Sequence, residues 1–257
     1  MDLVLYETKE RIGYITLNRP QKRNALSYEL VAALKEALTH AQADPAVKII
    51  VLRANGDSFC AGADLASLQQ LQKFSLEENI ADSNHLKELF LTIYQLKKVV
   101  IAQVQGHALA GGCGLATVCD FVFAVPEAKF GYTEVKIGFV PAMVLIFLIR
   151  KIGEQRAKHL LLSGELVQGN EAMNFGLVNF LISKTELENK VEEFAQKLIK
   201  SNSAHSMALT KQMIDEVQSM TLNEALDYAA RKNAEMRGSA DCKKGIAAFL
   251  GKTEMKW

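Results

Sequence analysis

Hydrophobic positions along this chain change their period several times, and those changes set out its elements. Residues 3–6 and 12–17 are short β-type runs on either side of 9–13, which predicts a hairpin, and Asn18-Arg19-Pro20 ends its second strand. From Tyr28 to about Ala43 the period becomes helical. Leu30, Val31, Leu34 and Leu38 share one face, Ser27 is placed to cap the first turn, and Asp44-Pro45 stops the helix. Residues 47–52 form an unbroken apolar run of strand length, as a strand buried on both faces requires. A loop over 56–64 leads into another helix. Residues 77–98 follow as a helix with Leu86, Leu89, Phe90, Ile93 and Leu96 on its apolar face, and 99–104 as a second buried strand. A glycine turn over 106–114 opens the next helix, and 121–125 is strand again.

This alternation predicts an α/β protein with parallel strands joined by helical crossovers. After about residue 140 the character changes. Nearly everything from 143 to 249 has helical period, apart from a short strand at 177–182, and the stretches 204–218 and 221–236 are amphipathic. The expected organisation is a core over 1–195 and a helical region over 196–257.

Composition narrows the function classes. At 257 residues and 49% hydrophobic content, the chain is large enough for one substantial core. Its 30 basic and 29 acidic residues nearly cancel, so no basic field argues for a nucleic-acid partner. Cys60, Cys113, Cys119 and Cys242 lack the paired spacing of a metal site, and the five histidines show no ligand spacing, so no metal is expected. No apolar run reaches the roughly 18 residues of a membrane span, and the N-terminus has neither signal nor transit character. The expectation is a cytoplasmic protein without a membrane partner.

Two glycine loops carry the candidate chemistry. Cys60-Ala-Gly-Ala-Asp64 follows the strand at 47–52, and Ala110-Gly-Gly-Cys-Gly114 follows the strand at 99–104. Each puts bare backbone N–H groups between the end of a strand and the start of a helix, where negative charge is favoured. Either loop alone is compatible with a simple tight turn. Two matched loops point to an oxyanion hole, in which two N–H donors hold a carbonyl oxygen that becomes negative. Gly112-Cys-Gly114-Leu-Ala-Thr117 also approximates a dinucleotide fingerprint, but Thr stands where close helix packing wants Gly or Ala.

Glu134 is the only carboxylate between Glu127 and Glu154, and its neighbours are apolar apart from Lys136. Such surroundings raise a carboxylate's pKa and suit a general base; a glutamate opening a helix beside Thr133 is the plainer alternative.

These segments together resemble the enoyl-CoA hydratase/isomerase family, the crotonase fold. The matching stretches are Asn18-Arg-Pro20 with Asn24-Ala-Leu26, Phe59-Cys-Ala-Gly-Ala-Asp-Leu65, Gly106 to Ala116, Cys119-Asp120 and Phe130-Gly-Tyr-Thr-Glu134 with Ile137-Gly138. Leu162-Ser-Gly164 and residues 172–178 also fit, so the match spans most of the chain in order.

The resemblance implies a spiral of repeated ββα units with a C-terminal helical region that assembles trimers or hexamers. It implies an acyl-CoA thioester as partner and no cofactor beyond the CoA of the substrate. The oxyanion donors fall on Ala63 and Gly111, with Glu134 as catalytic acid or base. Ala61, Asp64 and Leu65 fall on the loop that holds CoA, and Lys252 falls near its 3′-phosphate. Phe139 and Met143 are placed to shape the acyl pocket. One position departs from the pattern: Gly114 stands where typical hydratases carry a second glutamate. The stretch Thr133 to Ala142 is similar to a bacterial branch called methylglutaconyl-CoA hydratase. The resemblance therefore implies hydration of a 2-enoyl-CoA. Its alternatives are a Δ3,Δ2-enoyl-CoA isomerase working through Glu134 alone and a weakly catalytic CoA-thioester-binding protein.

Overall fold

The computed structural model describes residues 2–257, with Leu65 described in its backbone only. The chain winds as successive turns, of which the second, third and fourth each have a longer strand and then a shorter one. The first turn is the hairpin β1 (Val4–Lys9) and β2 (Ile12–Leu17), followed by α1 (Tyr28–Ala43). The Ser27 hydroxyl accepts the Leu30 N–H at 3.3 Å and caps α1, whose Leu30, Val31, Leu34 and Leu38 are buried as their spacing requires. The second turn is β3 (Ile49–Ala54) and β4 (Ser58–Cys60), then α2 (Leu65–Leu71) and α3 (Leu76–Gln95). The third is β5 (Val99–Val104), β6 (His107–Leu109) and α4 (Gly111–Val118). The fourth is β7 (Phe121–Ala124) and β8 (Lys129–Gly131), then α5 (Ala142–Ile152) and α6 (Glu154–Ser163). A shorter last turn holds β9 (Val167–Gln168), α7 (Gly169–Phe175) and β10 (Phe180–Leu181).

The longer strands, with the two-residue β10 at the edge, make one sheet in the order β1-β2-β3-β5-β7-β10, parallel except for the hairpin. The shorter strands make a second sheet, β4-β6-β8-β9, in which β4, β6 and β8 run parallel. Ile49 to Leu52 and Val99 to Ala102 are buried throughout, which accounts for their lack of apolar–polar alternation. The α/β spiral agrees with the sequence. The second sheet is the addition: its strands have two or three residues, too few to show a period, and β4 and β6 lie in the stretches that read as glycine loops.

The remaining chain is helical: α8 (Leu187–Ser201), α9 (Ala204–Glu216), α10 (Leu222–Arg237) and α11 (Ala240–Leu250). The expected boundary at 195 falls inside α8. That helix buries Leu187, Val191, Ala195 and Ile199 against the core, and the Lys48 ammonium donates at 2.6 Å to the carbonyls of both Ile199 and Asn202 at its end. Structurally, α8 belongs to the core. By contrast α9, α10 and α11 have no buried residues, and Leu222, Leu226, Phe249 and Leu250 stand exposed on the last two.

Candidate active site

The second sheet brings the predicted residues together. β4, β6 and β8 are adjacent and parallel, so their C-terminal ends lie side by side. Ala63 follows β4, Gly111 follows β6 and Glu134 follows β8. This is the sheet edge at which ligands meet parallel α/β structures.

The two loops are held against one another. A Cβ added to Gly62 would lie 2.8 Å from the Ala110 Cβ and 3.5 Å from the Gly111 nitrogen, and Gly62 has a φ of +88°, so only glycine fits there. Leu26 bridges to Ala63: its N–H donates to the Gly62 carbonyl at 2.7 Å, and its carbonyl accepts the Asp64 N–H at 3.0 Å. The Ala63 N–H between them donates to nothing among the described residues. On the other loop the Ala110 N–H donates to the Gly131 carbonyl at 2.8 Å, fixing the turn to β8. Gly111 is the first residue of α4, so its N–H has no partner within the helix. Ala110 adopts φ 49° and ψ −125°, a strained conformation for a residue with a Cβ, and this turn aims the first N–H groups of α4. Gly112 lets α4 approach β4, since a Cβ there would stand 2.2 Å from the Cys60 carbonyl oxygen.

Arg19 and Asp64 lock the first loop. The Arg19 guanidinium lies 2.6 Å from Asp64 Oδ2 with both side chains largely buried, and it also donates to the Ala25 carbonyl at 3.2 Å. Asp64 Oδ1 accepts the N–H groups of Ala66 at 2.8 Å and Ser67 at 3.3 Å, capping α2. Burial pushes the Asp64 pKa up, but the bond from Arg19 and the two N–H groups outweigh it, so the carboxyl sits below its ordinary value. Its N–H serves Leu26 and its carbonyl accepts the Leu68 N–H. Each polar group of Asp64 thus has a partner within the protein, and the residue holds the loop that carries Ala63. Asn24 adds to the lock, accepting the Arg19 N–H and donating to the Asn55 and Ser58 carbonyls, each at 2.9 Å.

Glu134 opens a 3-10 turn over Glu134–Ile137, which Gly138 ends in a left-handed conformation. Thr133 does not cap this turn through its side chain. The Glu134 Oε2 atom is buried and has no hydrogen-bond partner among the described residues. Burial raises its pKa, partly offset by a hydrogen bond from its own backbone. A buried carboxylate with an unfilled acceptor is costly unless it has a task. Beneath it, the buried Tyr132 hydroxyl meets the Thr117 hydroxyl at 2.6 Å and anchors the end of β8 to α4.

Phe139 stands 54% exposed just beyond the Glu134 turn, and Met143 lies half-buried in the first turn of α5. Gly114 is buried in α4, where a second acid would sit. Lys252 is exposed after α11, remote in the chain from the strand ends, and its side chain forms no hydrogen bond or ion pair among the described residues. A cavity of about 740 Å³ lies elsewhere, lined by Asp120, Phe147, Lys151, Ser203, Lys211 and Trp257 among others. It contains none of the residues that converge at the strand ends, and its lysines are engaged by backbone carbonyls and Asp120. No group of three or more His, Cys, Asp or Glu side chains among the described residues is placed to hold a metal ion. No described helix is long and apolar enough to cross a membrane.

Sequence reasoning missed Arg19, Ala110 and Val144. Arg19 stood in a recognised segment, but its partner is 45 residues away. The strain at Ala110 is a backbone property that alanine does not advertise. Val144 matters only for what it touches across α4.

Two loops with backbone N–H groups and a half-buried carboxylate with one unpartnered oxygen thus stand at neighbouring strand ends, an arrangement able to stabilise an oxyanion and move a proton. The chain belongs to the enoyl-CoA hydratase/isomerase family, whose model matches residues 7–257. It is 42% identical over 244 residues to a Thermus thermophilus protein provisionally named an enoyl-CoA hydratase, covering 95% of this chain and 96% of that one. It is 34% identical to the crotonyl-CoA hydratase of Syntrophomonas wolfei, covering 97% of this chain and 95% of that one. The crystal structure of an enoyl-CoA hydratase from Mycobacterium smegmatis superposes with a TM-score of 0.93 at 31% identity, over 100% of this chain and 99% of the other.

Proposed function

We propose that this enzyme adds water across the 2,3 double bond of an enoyl-CoA thioester, using Glu134 as its only carboxylate. The thioester oxygen lies between the Ala63 and Gly111 N–H groups. Ionised Glu134 takes a proton from water as the oxygen of that water bonds to C3. The π electrons shift toward the thioester, giving an enolate whose negative oxygen the two N–H groups hold. The enolate carbon C2 then takes the proton back from Glu134, so water is added and the carboxylate is restored. The observation that carries this reading is the buried, unpartnered Glu134 oxygen at the strand end beside the two donor loops.

A methylglutaconyl-CoA-like acyl group is the substrate we favour, on the likeness of residues 133–142 to that branch. The exposed apolar run Ile137, Phe139 and Val140, with Met143, supplies surface for an acyl chain, and the Ala61–Leu65 backbone and Lys252 serve CoA. The exposed leucines and Phe249 of α10 and α11 support assembly of the C-terminal helices into trimers or hexamers. Four unpaired cysteines suit a reducing cytoplasm.

The glycine at 114 favours a second reading, Δ3,Δ2-enoyl-CoA isomerisation, in which Glu134 takes a proton from C2 and returns it to C4. Purified enzyme offered a 2-enoyl-CoA and a 3-enoyl-CoA separately decides between them. Loss of the conjugated-thioester absorbance from the first is hydration; its appearance from the second is isomerisation. Glu134→Gln should lower the rate about 10²-fold or more while thioester binding persists. Full turnover by that variant, or binding without turnover of either substrate by the wild type, overturns the proposal.

A further inference from the structure

The four glycines around the oxyanion loops do not have the same cause. At Gly62 and Gly112 the atoms that exclude a side chain include backbone: the Leu109 carbonyl oxygen at 2.9 Å in one case, the Cys60 carbonyl oxygen at 2.2 Å in the other. At Gly111 the only close atom is a flexible Leu26 methyl at 3.1 Å. At Gly114 the three nearest atoms outside its own helix all belong to side chains. A Cβ there would stand 2.3 Å from Val144 Cγ1 and 3.1 and 3.3 Å from two atoms of the Phe90 ring. Gly114 has an unremarkable helical backbone, for which glycine is a poor choice. What demands glycine is the neighbour.

That neighbour cannot easily yield. Val144 is buried in the first turn of α5, and a β-branched side chain in a helix has essentially one rotamer. Phe90 is fully buried in α3 and packs edge-on against Phe147, with ring centroids 6.4 Å apart. The same segment that carries Glu134 continues through Gly138 and Pro141 into α5, so one stretch of chain supplies the carboxylate and the hydrocarbon that fills position 114.

We infer that Val144, backed by Phe90, is the residue that holds this site to a single carboxylate, by occupying the volume that any side chain at position 114 would need. An acid at 114 cannot be restored by changing 114 alone. Proton transfer is confined to Glu134 as much by residue 144 as by the missing glutamate. The inference builds on the single-carboxylate hydration proposed above, and its first test needs no substrate.

The test is a cycle of Gly114→Ala, Val144→Ala and the double variant, read by thermal unfolding. With Val144 in place, Gly114→Ala should lower Tm by roughly 5 °C through overpacking. With alanine at 144 the same change should cost less than about 1 °C, because the added methyl fills the space vacated. Equal losses in the two backgrounds overturn the inference, whatever the reaction proves to be. The second test compares the pH profile of kcat/KM for hydration in Gly114→Glu and Gly114→Glu/Val144→Ala. Only the double variant should gain a second carboxylate ionisation, with a rate about tenfold or more above Gly114→Glu. Identical profiles in these two variants overturn it. A wild type that does not hydrate, with the thermal coupling intact, removes the proposed reaction and leaves the role of Val144 standing.

Discussion

Replacing Arg19 with methionine removes the guanidinium that pairs with Asp64 and leaves a similar length of hydrocarbon. The pair is close, at 2.6 Å, and the two side chains are 18% and 7% exposed. Breaking a fully buried pair from one side costs about 3–5 kcal/mol, because the remaining charge is stranded. Arg19 retains some contact with water and Asp64 retains its two backbone donors, so the expected loss is about 2–3 kcal/mol. The pH dependence carries a definite sign. In the wild type the folded Asp64 pKa lies below its ordinary value, so its contribution is complete above about pH 4 and is lost as pH falls through the folded value. Without Arg19, Asp64 loses the strongest of the groups that lower its pKa and the folded value rises. The variant's deficit is then full at neutral pH and shrinks as Asp64 takes up its proton. Urea unfolding followed by circular dichroism at about pH 7.5 and about pH 4 measures both. Activity should fall as well, by up to about a hundredfold and mainly in kcat, since Asp64 fixes the loop that presents the Ala63 N–H. A loss under about 0.5 kcal/mol at neutral pH, the size of an exposed pair, would refute the reasoning. So would a deficit that does not change with pH.

Two further outcomes follow from strain and burial at the site. Because burial raises the folded Glu134 pKa, its ionised form destabilises the protein; Glu134→Gln should unfold at a higher temperature than wild type at neutral pH, and the advantage should vanish as pH falls below the ordinary carboxylate value. Scanning calorimetry across that range checks it, and a variant less stable at neutral pH contradicts it. Ala110→Val places a β-branched residue at a φ of 49° and should cost about 2–3 kcal/mol with a lower kcat, whereas Ala110→Gly should stay within about 1 kcal/mol of wild type. Equal denaturation midpoints for the two Ala110 variants would show that the turn is not strained.

The longer strands, α1 and α3 were legible because their apolar spacing is set by one-sided or complete burial. Ile49 to Leu52 gave a continuous run and Leu30, Val31, Leu34 and Leu38 a stripe, each the direct print of its surroundings. The second sheet was not legible, since three residues cannot display an alternation and a parallel pair such as Cys60 with Ala108 is made by distant parts of the chain. Within the site, the two glycine loops and Glu134 stood out through local signals, glycine beside a strand end and a carboxylate alone in apolar sequence, whereas Ala63 and Gly111 were singled out as donors only by the family resemblance. The structural part of Asp64 was not legible, because its bond to Arg19 depends on a contact across 45 residues. The glycine at 114 was visible, but its reason was not, because Val144 reaches it from another helix.

This division between what is local and what is distant bears on how such a site changes its chemistry. The proposed oxyanion donors are backbone groups, on loops held by Gly62, the Ala110 turn and the lock of Arg19 on Asp64. Backbone donors do not depend on the identity of the side chains they belong to, so enolate stabilisation tolerates substitution nearby. Proton transfer rests instead on side chains at the ends of the strands and helices facing that hole. One such position, 114, is filled by a valine from α5, and the remaining carboxylate is left buried with an oxygen unpartnered. Filling 114 with hydrocarbon leaves the proposed proton transfer to Glu134 alone, whose own burial raises its pKa.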